Sequence, residues 1–180
     1  VVEALSGPLR VAAAASVAGG NQLEAVQGCA PARPVPVIQI HGTDDPCWRF
    51  GQDDEMGPCE AEFNADKIHI SAEETVEGWR ARNGCSEEFA EDALEDVDDE
   101  DGTSAVVRDF AGCIDGADVE FVVVEGGGHT WPQGYGYLPD GTIGKTSADV
   151  SANARLWSFF DAHPLPFLAG TVTTFATLSA

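Results

Sequence analysis

The sequence predicts an α/β fold, with a largely parallel sheet covered by helices. Three observations carry that expectation. Two short runs, VPVIQI at 35–40 and VEFVVV at 119–124, are too apolar for a strand with one wet face. Two helical segments with recognisable start or stop signals alternate with the strands. The chain has 180 residues, 43% of them hydrophobic, enough for one domain with its own core.

Taken in order, RVAAAASV at 10–17 is an apolar run stopping at Gly19-Gly20. It fits a buried strand, although its alanines also favour helix. Residues 35–40 are rich in β-branched side chains and run into His41-Gly42-Thr43. Residues 71–82 read as a helix, with Ser71 and Glu74 at capping-box spacing and Gly84 beyond the end. Residues 86–101 read as an acidic loop, and 103–110 as a loosely alternating strand. Another strand covers 119–125. A closing helix is expected over 148–162, with Val150, Ala154, Trp157 and Phe160 forming one apolar stripe and Pro164 just past it. The tail at 167–180 suits either an edge strand or an unstructured end.

Charge narrows the function classes. Asp and Glu total 31 against 9 Lys plus Arg, a formal net charge of −22, and Lys67 and Lys145 are the two lysines. Nucleic acid and anionic membranes both call for a basic surface and are not expected as partners. No apolar run is long enough to span a bilayer. Dense carboxylates fit either a simply acidic soluble protein or a halophilic one in a salty medium that screens their repulsion. The first residues lack the basic start and separate apolar core of a signal peptide, and without a Met they read as if cut from something longer.

Cysteine usage points to an oxidising compartment. None of Cys29, Cys47, Cys59, Cys85 and Cys113 lies in a CxxC pair, so a zinc knuckle is not expected. Four of them can form two bridges, which would imply an oxidising compartment, and one is left over. The acidic run LEDVDDEDG at 94–102 invites a calcium loop. With Gly102 at the sixth position such a loop starts at Val97 and ends at Arg108, and neither is a ligand. A solvated acidic loop is the better reading, and no metal is expected.

Two strand ends carry the chemistry, for in α/β sheets active loops lie beyond the carboxyl ends of the strands. The first is HGTDDP at 41–46, where Asp44 and Asp45 follow an apolar strand. A carboxylate there can orient an imidazole, although Asp before Pro is also ordinary turn chemistry. The second is GGGHTWP at 126–132, where three glycines present His129. Alone, that histidine reads as a polar loop residue packed on Trp131. An acid after one strand, a histidine after a later one and a closing helix together follow the later part of the Ser…Asp…His order.

These segments, with RNGC at 82–85 and DGTSAVVRDFAGC at 101–113, resemble the C-terminal half of α/β-hydrolase esterases of the polyhydroxybutyrate depolymerase and feruloyl esterase type. The resemblance runs from about Val11 to about Pro166. It implies an α/β-hydrolase-like fold, with residues 1–166 a partial domain and 167–180 a tail. It implies a secreted carboxylic ester hydrolase with no cofactor, acting on a small ester or a polyester. Asp45, immediately before the proline, takes the place of the triad acid, and His129 that of the base. Trp131 and Pro132 then shape the loop beside His129. His41 matches a family position and is read as structural; His69 and His163 match nothing and are read as surface residues. The resemblance pairs Cys85 with Cys113 and places the partner of Cys29 upstream, which leaves Cys47 and Cys59 as a local staple across 48–58. Trp48, Phe50 and Trp131 are candidates to line an apolar or aromatic substrate pocket, each also plausible as packing.

The mechanism further requires a G-x-S-x-G elbow, and none is present. Neither Ser6 nor Ser16 has glycine two positions to each side. Chain order places the elbow and its oxyanion hole before residue 1. Three readings follow: a partial enzyme completed by an N-terminal half or another chain, a non-catalytic binding or self-assembling protein, or a hydrolase using Cys47 as substitute nucleophile. A half-sheet alone exposes an edge, so an oligomer or a covering partner is expected.

Overall fold

The computed structural model describes residues 11–20, 31–64 and 70–165. Cys29, Ser6, His69, Lys67 and the tail at 167–180 lie outside them, as do the expectations placed on those residues. The described residues form a five-stranded mixed sheet flanked by helices, an α/β arrangement. The strands are β1 (Ala14–Val17), β2 (Val37–Gly42), β3 (Phe89–Ala93), β4 (Ser104–Phe110) and β5 (Val119–Glu125). The helices are α1 (Pro58–Asn64), α2 (Ala72–Asn83), α3 (Asp140–Ile143) and α4 (Ala152–Ala162).

The strand order is β1-β2-β5-β4-β3. β1, β2 and β5 are parallel, with Ile40 opposite both Val17 and Val122. β4 and β3 run antiparallel, a departure from the largely parallel sheet expected. The reason is connection length. A parallel return needs a crossover of a dozen residues or more, and 111–118 is too short for one.

Both faces of the sheet are covered, and the period of two sorts the side chains. Ile38 and Ile40 of β2, Val122 and Val124 of β5, and Ala105 and Val107 of β4 pack with Phe159 of α4. Phe121 and Val123 point the other way, against Ala72 and Val76 of α2. Gln39 and His41 share that second direction by alternation. Every residue of β2 is buried, so its two polar side chains need internal partners.

α2 has the ends expected of it. Ser71 and Glu74 complete a reciprocal capping box, and Gly84 takes the left-handed conformation at φ 65°. Asn83, fully buried, donates to the carbonyls of Val35 (2.7 Å) and Ala117 (2.8 Å), tying the helix end to the entries of β2 and β5.

Three expectations are corrected. The acidic loop at 86–101 contains β3, whose five residues are all exposed. Its acidic composition hides a strand held by cross-strand pairs, Arg108 with Glu91 at 2.8 Å and Phe89 with Phe110, whose tilted rings lie 5.3 Å apart. α4 begins at Ala152, capped by Ser151, and its buried side carries Ala152 and Phe159; Ala154 and Phe160 are exposed, and Trp157 is 75% exposed. His163 is no free surface residue: its side chain is 13% exposed, its Nε2 lies 3.1 Å from Asp118, and its ring packs on Phe159.

Candidate active site

β2 and β5 are neighbours and end side by side, so the HGTDDP and GGGHTWP turns meet above the sheet. Close backbone approach makes the glycines necessary. A Cβ on Gly42 would collide with the Gly127 carbonyl, and one on Gly128 with the Ile143 carbonyl oxygen. Gly126 sits at φ 70° and Gly144 at φ 80°. The 126–129 segment therefore lies flat against 143–145, where His129 N–H donates to Ile143 O at 2.6 Å and Gly128 N–H to Lys145 O at 2.9 Å.

The imidazole of His129 is held by Asp45, with Nδ1 2.9 Å from Oδ2. Asp44, its neighbour, is exposed. An ionised carboxylate only accepts, so the proton of neutral His129 sits on Nδ1 and Nε2 is left with its lone pair. About a third of the His129 side chain is exposed, whereas that of Asp45 is fully covered. Asp45 has a donor at every lone-pair position: Oδ1 accepts from Cys47 N–H (2.7 Å) and Trp48 N–H (2.9 Å), and Oδ2 faces His129 and His41. Burial works to raise its pKa, but the hydrogen bonds from His129 and His41 outweigh it and hold the carboxyl below its ordinary 3.8.

The turn that presents Asp45 is braced from below. Cys47 and Cys59 form a disulfide, joining it to α1. The buried Glu60 pairs with Arg49 at 3.3 Å, and Glu60 N–H donates to Pro46 O. The second bridge, Cys85–Cys113, fastens the end of α2 to the stretch after β4. Two bridges suit an oxidising environment, and among the described residues no helix is long and apolar enough to cross a membrane. With its sulfur in a bridge, Cys47 has no thiolate to attack with, and the substitute-nucleophile reading is withdrawn. The donor atoms of Asp45, Cys47 and His129 lie within 4.8 Å of one another, yet a bridged sulfur and a carboxylate already fully hydrogen-bonded leave a metal ion little to hold.

A hollow of about 480 Å³ opens beside His129, walled by Gly19, Gly20, Trp48, Tyr137, Leu138 and Ile143 among others. Among the described residues no serine is one of its walls. Trp48 is 4% exposed, fixed by its indole N–H to Ile70 O at 2.9 Å, and it lines the hollow as one of the expected pocket residues. Phe50 does not: it stacks on Phe121 in the core at 5.6 Å between ring centroids. Trp131 is 41% exposed on the His129 loop and is not one of the walls. Sequence reasoning missed Tyr137 and Leu138. The hydroxyl of Tyr137 donates to the His129 carbonyl at 3.0 Å, and both side chains are about half exposed. The signal available was an aromatic pair, YGYL at 135–138, in a polar loop just past the histidine.

The fold and site together define a class: an α/β sheet with a buried carboxylate and a partly exposed histidine at the ends of adjacent parallel strands. No family model matches the chain. Over 127 residues it is 35% identical to a protein named "Putative esterase NocK" from Nocardia uniformis subsp. tsuyamanensis. The match takes in 67% of this chain and 36% of that protein, so the chain spans about a third of its relative's length. The relationship is esterase-like at that level.

Proposed function

We propose that this chain supplies the acid and base of a carboxylic ester hydrolase, with Asp45 as acid and His129 as base, and that the nucleophilic serine and oxyanion donors come from outside the described residues. The observation that carries the reading is the 2.9 Å contact between Asp45 Oδ2 and His129 Nδ1, with Nε2 left as acceptor beside an open hollow. In that role His129 takes the proton from an upstream serine, Asp45 steadies the imidazolium that forms, and the proton passes to the leaving alcohol. Trp48, Tyr137 and Leu138 give the hollow an apolar lining suited to aryl or alkyl esters, from feruloylated sugars to hydroxyalkanoate polyesters. The likeness to a protein with an esterase's name supports the reading. So does the parallel edge of β1, which pairs on one side only among the described strands and offers its other side to a completing strand. An extracellular site of action, in a salty medium, belongs to the same proposal.

The test is p-nitrophenyl ester turnover by the native protein, with a serine-directed phosphonate and peptide mapping of the adduct. The expected result is turnover that the phosphonate abolishes, an adduct on a serine outside these 180 residues, and a loss of about 10⁴-fold or more in His129→Ala. Full turnover in His129→Ala contradicts the proposal. Absence of turnover in native protein of verified mass favours the alternative, a binding or self-assembling role for the same fold.

A further inference from the structure

β2 places a second histidine under the same carboxylate. His41 is 1% exposed, and its Nε2 lies 2.9 Å from Trp48 O and 3.2 Å from Asp45 Oδ2. Its Nδ1 lies 3.2 Å from Nε2 of Gln39, two residues earlier on the same face of the strand. Gln39 is itself buried, and the same amide nitrogen lies 2.6 Å from Gly19 O. A carbonyl oxygen accepts only, so the nitrogen of the Gln39 amide, with its two hydrogens, must be the atom facing Gly19. Its second hydrogen is then aimed at His41 Nδ1, which must accept. The proton of His41 therefore sits on Nε2, shared between Trp48 O and Asp45 Oδ2.

We infer that His41 is a positioning residue, a neutral imidazole locked by Gln39 in the Nε2–H tautomer so that it donates to Asp45 and fixes the carboxylate towards His129. The inference deepens the proposed esterase reading and rests on it for its kinetic consequence. The geometry explains why a histidine stands on a fully buried strand. A carboxylate held by the Cys47 and Trp48 amides alone is fixed through Oδ1 and leaves Oδ2 a single orienting partner. The His41 N–H supplies the second, from a fully covered side chain. Because Nδ1 faces a donor, His41 does not compete with His129 for the charge on Asp45: it contributes a dipole and no net charge.

Histidine-selective ¹⁵N labelling of the native protein, read by long-range ¹H–¹⁵N correlation, distinguishes the two imidazoles. His41 is expected as the Nε2–H tautomer and neutral His129 as the Nδ1–H tautomer; a proton on Nδ1 of His41 overturns the inference, whether or not the protein turns over esters. Two variants extend the test. His41→Gln keeps an N–H donor near the Nε2 position, and His41→Leu removes it. The low-field Nδ1 proton of His129 is expected to shift in His41→Leu and to stay in His41→Gln. In ester turnover, kcat is expected to fall roughly ten-fold in His41→Leu with KM nearly unchanged, as for loss of one hydrogen bond to a charged group, and to recover most of that in His41→Gln. Equal impairment of both variants, or an unmoved His129 proton in His41→Leu, reduces His41 to packing. If His41→Leu does not fold, the tautomer and His41→Gln still decide. A protein without turnover but with the predicted tautomers and His129 shift refutes the esterase reading and keeps the locked His41.

Discussion

Two aspartates on either side of the sheet's central strand, β5, show what this fold does with negative charge. Asp45 sits on the parallel side, buried, and its hydrogen bonds hold its pKa below 3.8. Asp96 sits on the acidic stretch after β3, where desolvation and the charges of Asp149, Asp99, Asp101 and Asp98 push its pKa up. The first carboxylate is organised, with every lone pair matched to a donor. The second is crowded by its own kind. Charge in this protein is therefore a tool where the backbone supplies donors and a burden where it does not, and the −22 total says little about which is which.

The largest expected effect separates the two directly. Asp45→Asn keeps the shape but swaps an acceptor for a donor beside His129, and ester turnover should fall on the order of 10⁴-fold. Asp96→Asn should leave turnover unchanged while raising the melting temperature slightly in dilute buffer. A comparable loss of turnover from both would mean that the acidic stretch belongs to the site.

A smaller effect concerns the brace under Asp45. Replacing both Cys47 and Cys59 with serine opens a loop of 12 residues' separation and should cost about 3 kcal/mol of stability, with reduced turnover as the turn loosens. Chemical denaturation measures the first part, and unchanged stability would show that the Arg49–Glu60 pair already holds the turn.

Acid and salt should move the two sides in opposite senses. Because the folded-state pKa of Asp45 lies below its ordinary value, its stabilisation is complete above 3.8 and drains away as the pH falls through the lower folded value. Asp96 is raised, so its repulsion is relieved by protonation beginning above 3.8. Molar salt, which shortens the screening length to about 3 Å, should relieve the same repulsion at neutral pH and raise the melting temperature. A melting temperature flat in salt would leave the acidic surface without this explanation.

How legible the molecule was in its sequence follows the same division. β5 was read at its observed bounds because a strand buried on both faces writes a continuous apolar run, and α2 was read from Ser71, Glu74 and Gly84 because caps are local chemistry. The meeting of Asp45 and His129 was foreseen from two short motifs at strand ends. β3 was not, because an exposed edge strand is specified by partners such as Arg108 and Phe110 that lie in another segment. The stripe of α4 was misread because Trp157 and Phe160 are apolar yet face outward, and periodicity alone does not say which side the sheet will take. The tautomer of His41 was beyond any motif, since it depends on Gly19 and Trp48, brought together only by folding.

The central claim is that Asp45 and His129 work as one unit, and a double-mutant cycle in ester turnover by the native protein measures that most directly. Residues that act as a unit are strongly non-additive. Asp45→Asn and His129→Ala should each remove most of the rate, and the double variant should be about as slow as His129→Ala alone. If the two losses multiply, the two side chains act independently, and the 2.9 Å contact between them is packing rather than mechanism.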